Sequence, residues 1–129
     1  MSNNQYPINS NKYDIHERIF NFIVEVINSL EKLPKTPKNL IFLNQITRSV
    51  TSMGANDQEA DGAITARDFI HGFTLVRKEG KETIFWLRII EKVNNDLDIQ
   101  FESLIQEGKE IISIISTIIR KTSRSSKSI

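Results

Sequence analysis

The sequence has no cysteine and only two histidines among its 129 residues. Without cysteine there can be no disulfide, no zinc–thiolate site and no cysteine nucleophile. A di-iron site in a helical bundle needs two Glu-x-x-His motifs, and this chain offers one imperfect half, Asp68 with His71. Phosphate-binding glycine motifs are absent as well. The sequence therefore predicts no metal and no cofactor.

Long apolar runs are also missing. The longest, at 111–119, is interrupted by Ser113, Ser116 and Thr117, and it is far shorter than the roughly 20 residues that span a bilayer. The first twelve residues are polar and rich in asparagine, with none of the hydrophobic region that a signal peptide needs. We therefore expect a soluble, cytoplasmic protein that does not associate with a membrane.

Prolines and glycines are few, three and five respectively, and no segment shows the alternation of a half-buried strand. Apolar residues recur every three or four positions, which is the helical period. The pattern predicts four helices, at 14–33, 37–60, 66–93 and 98–122. Three predicted starts carry capping signals: Asp14 with Glu17, Thr36 followed by a proline, and Thr65 with Asp68.

The predicted loops are short, and short loops make consecutive helices lie antiparallel as neighbours. We therefore predict an all-α fold, an antiparallel up-down-up-down four-helix bundle over residues 14–122. A disordered segment, 1–13, would precede it, and a basic flexible tail, 123–129, would follow it.

The second predicted helix carries one apolar stripe, which we expect to face the core: Leu40, Leu43, Ile46, Val50 and Met53. The third and fourth helices have apolar residues beyond a single stripe, namely Ile70, Ile84, Trp86, Ile105, Ile112 and Ile119. A helix that is apolar over more than one stripe has more than one partner to contact. Either the core is wide or another subunit covers a face, and we favour self-association.

Polar residues share one face of the second helix: Arg48, Ser52, Asn56 and Glu59. Antiparallel packing could bring Asn56 and Glu59 against Arg77 or Lys81 of the third helix. Glu59 could then act as a general base, or the residues could form a hydrogen-bonded network that sets the register of the bundle. No nucleophile–base pair accompanies Glu59, so we favour the structural network and predict that the protein is not an enzyme.

The net charge is +1, but the positive charge is unevenly distributed. Lysines cluster at the first loop, at positions 32, 35 and 38, and no acidic residue follows Glu110. The candidate nucleic-acid contacts are Lys32, Lys35, Lys38, Arg120, Lys121, Arg124 and Lys127, because phosphate binding needs a local density of positive charge. An ordinary solvated surface is the alternative interpretation.

The stretch 45–56, Gln-Ile-Thr-Arg-Ser-Val-Thr-Ser-Met-Gly-Ala-Asn, is followed by Glu59-Ala60, by Arg67-Asp68-Phe69 and by Trp86-Leu87. Together with Tyr13-Asp14 and the Lys-Leu-Pro turn at 32–34, this pattern resembles a bacterial four-helix-bundle family that includes the 23S ribosomal RNA intervening-sequence proteins. The resemblance covers residues from about Tyr13 to Arg120.

The resemblance implies an up-down four-helix bundle, a homopentameric ring and no enzymatic activity. Some members of the family are encoded within insertions in large-subunit ribosomal RNA genes. A related branch, the accessory variability proteins of diversity-generating retroelements, binds a reverse transcriptase and nucleic acid through a basic surface. The signature positions match Arg48, Ser52, Asn56 and Glu59, and their implied role is structural. Asp57 and Gln58 depart from the family, which often has an aromatic residue and an acid there.

Two functional hypotheses follow. The first is an oligomeric scaffold associated with nucleic acid, either ribosomal RNA or DNA, or with a reverse transcriptase. The second is a protein–protein interaction module with no role on nucleic acid. The family match and the basic clusters favour the first, whereas the near-neutral charge of the body of the protein favours the second.

Overall fold

We describe the fold from a computed structural model in which residues 14–127 are placed. The predicted N-terminal segment 1–13 lies outside the described residues, as do the last two residues of the predicted tail. Four helices make up the fold: α1 (Ile15–Ser29), α2 (Pro37–Asp61), α3 (Ala66–Val93) and α4 (Glu102–Lys127). Within residues 14–127, no helix is both long enough and apolar enough to cross a membrane.

Side-chain caps begin the first three helices where the sequence predicts. The Asp14 carboxylate accepts a hydrogen bond from the backbone N–H of Glu17 at 3.0 Å. Thr36 and Thr65 cap α2 and α3 in the same way. Each cap satisfies a backbone donor that the first turn of a helix leaves unpaired, so the helix starts are determined locally.

The four helices form an antiparallel bundle, which confirms the predicted fold. The side chains of Ser49 and Thr83 touch at 2.8 Å, whereas Ala60 lies against Gly72, so α2 and α3 run in opposite directions. Around the bundle, α1 packs on α2 and α4, and α3 packs on the same two helices. The central side chains are fully buried and include Phe22, Ile46, Val50, Met53, Phe73, Leu87, Ile111 and Ile115.

One residue of the predicted α2 stripe does not face the core. Leu40 is 50 % exposed, and the buried position beside it belongs to Asn39. Asn39 exchanges two hydrogen bonds, each of 3.0 Å, with the side chain of Asn94, which follows α3. These bonds supply the partners that a buried amide requires, so a polar residue can take the core position.

The fourth helix is displaced along the chain relative to its prediction. It begins at Glu102 rather than near residue 98, because the backbone N–H of Phe101 donates to the Glu91 carboxylate at 2.8 Å and the Phe101 ring is buried. The helix also continues to Lys127, past the predicted end at residue 122. The segment 123–127 is therefore helical here, where the sequence predicted a flexible tail.

The apolar residues of α3 and α4 that lie outside a single stripe contribute mainly to the core. Ile84 is buried, and Trp86, Ile105 and Ile119 are half-buried against the core. A different set of apolar side chains is exposed, and three of them, Phe20, Val24 and Ile27, share one flank of α1. The wide-core interpretation therefore accounts for much of α3 and α4, and α1 carries one of the exposed apolar surfaces.

Candidate nucleic-acid interface

Arg48, the first residue of the predicted polar network, does bridge α2 and α3. Its guanidinium donates to Glu82 and lies 3.6 Å from the Glu79 carboxylate. The hydrogen bond from Arg48 lowers the pKa of Glu82 below its ordinary value. Beneath this pair, the buried hydroxyls of Ser49 and Thr83 bond across the same interface. These contacts link the two helices side by side.

The other predicted members are not joined in one network. Asn56 donates to the backbone carbonyl of Ser52, one turn earlier in its own helix. Glu59 is exposed on a shallow cleft at the α2–α3 turn. Arg77 donates to the Ser116 hydroxyl of α4 at 3.3 Å. Of the five residues, therefore, Arg48 links α2 to α3, and Arg77 links α3 to α4.

A buried polar cluster that the sequence did not predict joins α1 to α2. The two ring nitrogens of His16 lie 2.8 Å from Asp57 and 3.2 Å from Asp61. The Asp57 side chain is only 4 % exposed, and this burial raises its pKa despite the opposing effect of His16. Asp57 departs from the family signature, and its buried pairing with His16 explains how the position tolerates a carboxylate.

No group of three or more potential metal ligands converges anywhere in residues 14–127. Asp68 and His71, the imperfect half-motif of the sequence, are both exposed and line the cleft beside Glu59. Nor do their surroundings provide a nucleophile–base arrangement. This cleft has no further feature that indicates chemistry.

The predicted basic contacts form two groups at opposite ends of the bundle. Lys32, Lys35 and Lys38 surround the α1–α2 connection, at the end where α3 finishes, as the contact of Asn39 with Asn94 shows. Arg120, Lys121 and Arg124 lie near the end of α4, at the opposite end of the bundle. The side chain of Lys127 is outside the described residues. The 28-residue α3 is roughly 40 Å long, so the groups are too far apart to form one patch.

A line of basic side chains on α3 runs along the bundle between these ends. The exposed residues of this helix recur every three or four positions on its outer face. After His71 and Thr74 come, in order, Lys78, Lys81, Phe85, Arg88 and Lys92. We call these last five residues the α3 basic line. It contains four cations and one aromatic ring, and it contains no acidic residue.

The acidic residues of α3 that flank this line make contacts with neighbouring helices or loops. Glu79 and Glu82 face Arg48 on the α2 side, and Glu91 accepts the Phe101 N–H on the α4 side. Within the described chain, Arg88 and Lys92 join no ion pair. These two cations lie one turn apart on the helix. Like charges at this spacing destabilise a helix by about 0.2–0.5 kcal/mol. The helix therefore carries more positive than negative charge along this line.

The neighbouring side of α4 adds further positive charge. Lys109 borders the same surface groove as Arg88 and Lys92. Farther along α4, Ser116 bonds to Arg77 of α3, and Arg120 and Arg124 follow it at one-turn intervals. The predicted arginines thus continue on the side of α4 that meets α3. Near the start of α4 this side of the bundle also carries Glu91 and Glu102, beside Lys109.

Sequence reasoning missed this line although its signal is in the sequence. Lys78, Arg88 and Lys92 were not among the predicted contacts, and Lys81 was considered only as a possible partner of Asn56 and Glu59. The spacing from Lys78 to Lys92 alternates three and four residues, which is the helical period of a single face. The period of these charged residues alone predicts a basic line on one face of the helix.

Fold and surface together define a class: an antiparallel four-helix bundle with one basic face. The chain matches the family described as 23S rRNA-intervening sequence protein over residues 11–117, and it belongs to that family. This confirms the resemblance seen in the sequence.

A similar fold occurs in a solved structure from Bacteroides thetaiotaomicron, described as a protein of unknown function from the S23 ribosomal protein family. It is 31 % identical, the match covers 82 % of this chain and 95 % of that chain, and the TM-score is 0.73. The comparison with curated proteins gives no match.

Proposed function

We propose that this protein is a non-enzymatic scaffold that associates with nucleic acid through the basic face of α3. The observation that carries the proposal is the α3 basic line, whose four exposed cations lie on one surface. The flanking Glu79 and Glu82 are paired with Arg48 of α2. Phosphate backbones are bound by such a concentration of positive charge, whatever the net charge of the whole chain. The family, which carries the name of ribosomal RNA intervening sequences and is not a known enzyme family, supports the same proposal.

Ribosomal RNA is the partner that the family name suggests first. The lysines of the α1–α2 connection and the arginines of α4 would extend the contact toward either end of the bundle. A reverse transcriptase is a second proposed partner, which would be recruited together with the nucleic acid. Co-purification of a reverse transcriptase or of ribosomal RNA fragments with the protein would distinguish the two.

Titration of structured ribosomal RNA fragments with the purified protein tests the proposal, at low and at near-physiological salt. We expect affinity to fall steeply as salt rises, because bound phosphates release counterions when cations replace them. Replacing Lys81 and Arg88 with glutamine should weaken binding of every fragment and reduce the salt dependence by about one counterion for each contact removed.

The matched control is the double change of Asn44 and Thr47 to aspartate. It shifts the net charge by the same amount on exposed positions of α2, outside the basic line and outside α1. If both double variants lose affinity equally, net charge rather than the α3 face is responsible. Absence of RNA binding by the unaltered protein even at low salt would refute the nucleic-acid role.

Self-association, as a ring of subunits and by family resemblance a pentamer, is part of the proposed scaffold. The α1 flank formed by Phe20, Val24 and Ile27 supports it, because the three side chains are 61 %, 40 % and 38 % exposed. Contiguous apolar surface of this kind is typical of protein interfaces.

The same flank supports the second candidate function, a protein-interaction module without a nucleic-acid role. Analytical ultracentrifugation of Val24→Glu tests the interface: the charge should shift an oligomer toward monomers while leaving the helical content unchanged. If that variant sediments as the original protein does, α1 is not the subunit contact. An oligomer that binds no RNA would favour the interaction module.

A further inference from the structure

A surface groove between α3 and α4 opens beside the aromatic ring of the α3 basic line. Its volume is about 710 Å³. Its lining is mixed: Phe85, Ile89 and Ile105 are apolar, and the remaining residues are polar or charged. The groove thus combines a flat apolar surface with positive charge at its border.

Phe85 is held in place although it is half exposed. The ring of Trp86 meets it edge-on, with ring centroids 5.0 Å apart. Trp86 is itself fixed by a hydrogen bond from its indole N–H to Glu82 and by the ring of Phe42 at 6.0 Å. A rigid aromatic ring loses little freedom when something stacks on it, so the site is organised before any ligand arrives.

Three cations border the groove with Phe85: Arg88, Lys92 and Lys109. One carboxylate, Glu91, also borders it and accepts the Phe101 N–H at 2.8 Å, so the cations exceed the acids by two. The ligand that fits this arrangement has a planar apolar face and negative charges a few ångströms away. An apolar protein segment would bury these cations without partners, at a cost. Charge complementarity therefore favours a nucleotide chain.

We propose that this groove binds a single-stranded segment of nucleic acid, with one unpaired base stacked on Phe85 and the adjacent phosphates on Arg88, Lys92 and Lys109. The inference rests on the proposed nucleic-acid role and specifies its ligand. In a duplex the faces of the bases are covered by their neighbours, so an exposed ring can stack only on a base that is unpaired. Stacking uses the face of the base and not the sugar, so RNA and DNA strands share this chemistry.

The test compares a fluorescein-labelled single strand of about 12 nucleotides with the same strand annealed to its complement, at one low salt concentration. We expect the single strand to bind more tightly. Phe85→Ala should weaken single-strand binding by about tenfold and leave duplex binding nearly unchanged. Phe85→Tyr, which keeps the stacking face, should restore the affinity. Parallel RNA and DNA strands show whether the sugar contributes.

Ile64→Ala is the control, since it removes an exposed apolar side chain from the α2–α3 turn rather than from the groove. Trp86 gives a second readout, because it is the sole tryptophan and touches Phe85. Its emission should change on addition of the single strand and not on addition of the duplex. Helical circular dichroism of each variant verifies that the bundle is intact.

The outcomes separate this inference from the proposed function. If the protein binds single strand and duplex equally, and Phe85→Ala alters neither, the stacking site is refuted while backbone binding by the basic line stands. If neither nucleic acid binds at low salt, the proposed function itself fails. Equal losses from Phe85→Ala and Ile64→Ala would likewise overturn the role assigned to this groove.

Discussion

At the scale of single residues, the amide pair of Asn39 and Asn94 is the polar contact that the core depends on most. Each side chain donates one N–H to the other and its second N–H to a backbone carbonyl, of Pro34 or of Ile90. Both residues are almost fully buried, at 1 % and 5 % exposed. The pair therefore ties the α1–α2 connection to the end of α3 without leaving a donor unpaired.

We expect Asn94→Ala to lower the free energy of unfolding by about 2–3 kcal/mol, because it leaves buried polar atoms of Asn39 without partners. Replacing both asparagines with leucine should cost much less, since no orphaned polar group remains. Urea denaturation followed by circular dichroism measures both, with the exposed neighbour Asn95→Ala as the control. If the double variant is as unstable as Asn94→Ala, unpaired amide atoms do not cause the loss of stability.

The buried carboxylate of Asp57 predicts a pH dependence of stability. Burial raises the pKa of Asp57 above its ordinary value of 3.8, so the folded protein holds this proton more tightly than the unfolded chain. This contribution to the free energy of unfolding is fully present below the pKa that Asp57 has in the unfolded chain. It is lost as the pH rises through the pKa that Asp57 has in the folded protein.

Relative to Asp57→Asn, the unaltered protein should therefore become less stable as the pH rises from about 4 toward neutrality. Urea denaturation at a series of pH values gives the difference between the two proteins at each pH. Asp96→Asn, at an exposed position in the α3–α4 connection, is the control. A constant difference across the series would contradict the burial effect.

At the scale of helices, the close packing of α2 and α3 depends on Gly72. A Cβ atom at this position would lie 3.0 Å from the Ala60 Cβ and 3.2 Å from its Cα, and a backbone atom cannot easily move aside. Alanine is a better helix former than glycine by about 1 kcal/mol, so propensity alone favours the substitution. The close approach of α2 and α3 predicts that the substitution destabilises the fold instead.

Gly72→Ala should therefore destabilise the fold, by about 1–2 kcal/mol once the gain in helix propensity is offset against the forced separation of the helices. Gly62→Ala provides the comparison, because its nearest contact would be an ordinary 3.7 Å. Thermal unfolding of the two variants measures the difference. Stabilisation by Gly72→Ala would mean that α2 and α3 can move apart without loss.

The starts of the first three helices were predicted well and the start of α4 was not, for a physical reason. Asp14, Thr36 and Thr65 cap their helices through hydrogen bonds to residues three positions later, and such local contacts can be read from sequence. The start of α4 depends instead on Glu91, which lies ten residues before Phe101. No local rule connects those two positions.

At the scale of the whole molecule, the arrangement of charge predicts what truncation does. Ile115 is the last fully buried residue in the described part of α4, so ending the chain after Ile119 should preserve the fold. That truncation removes the basic residues Arg120, Lys121, Arg124 and Lys127. RNA affinity at low salt should fall by about tenfold, with a weaker dependence on salt.

Binding titrations of the full and truncated chains, with circular dichroism as the test of folding, measure this effect. Equal affinity of the two proteins would show that the end of α4 does not contact nucleic acid. The truncation leaves the α3 basic line in place, so residual salt-dependent binding is expected from that face.

The sequence by itself determined the all-α class, the four helices and their antiparallel order, because helical periodicity, caps and short loops are local properties of the chain. Only the tertiary structure decided that Asn39 and Asp57 enter the interior, since a buried polar residue depends on a partner from another helix. Tertiary packing also decided which charges remain available. Glu79, Glu82 and Glu91 are occupied by residues distant in sequence, and this leaves the cations of α3 exposed along one face.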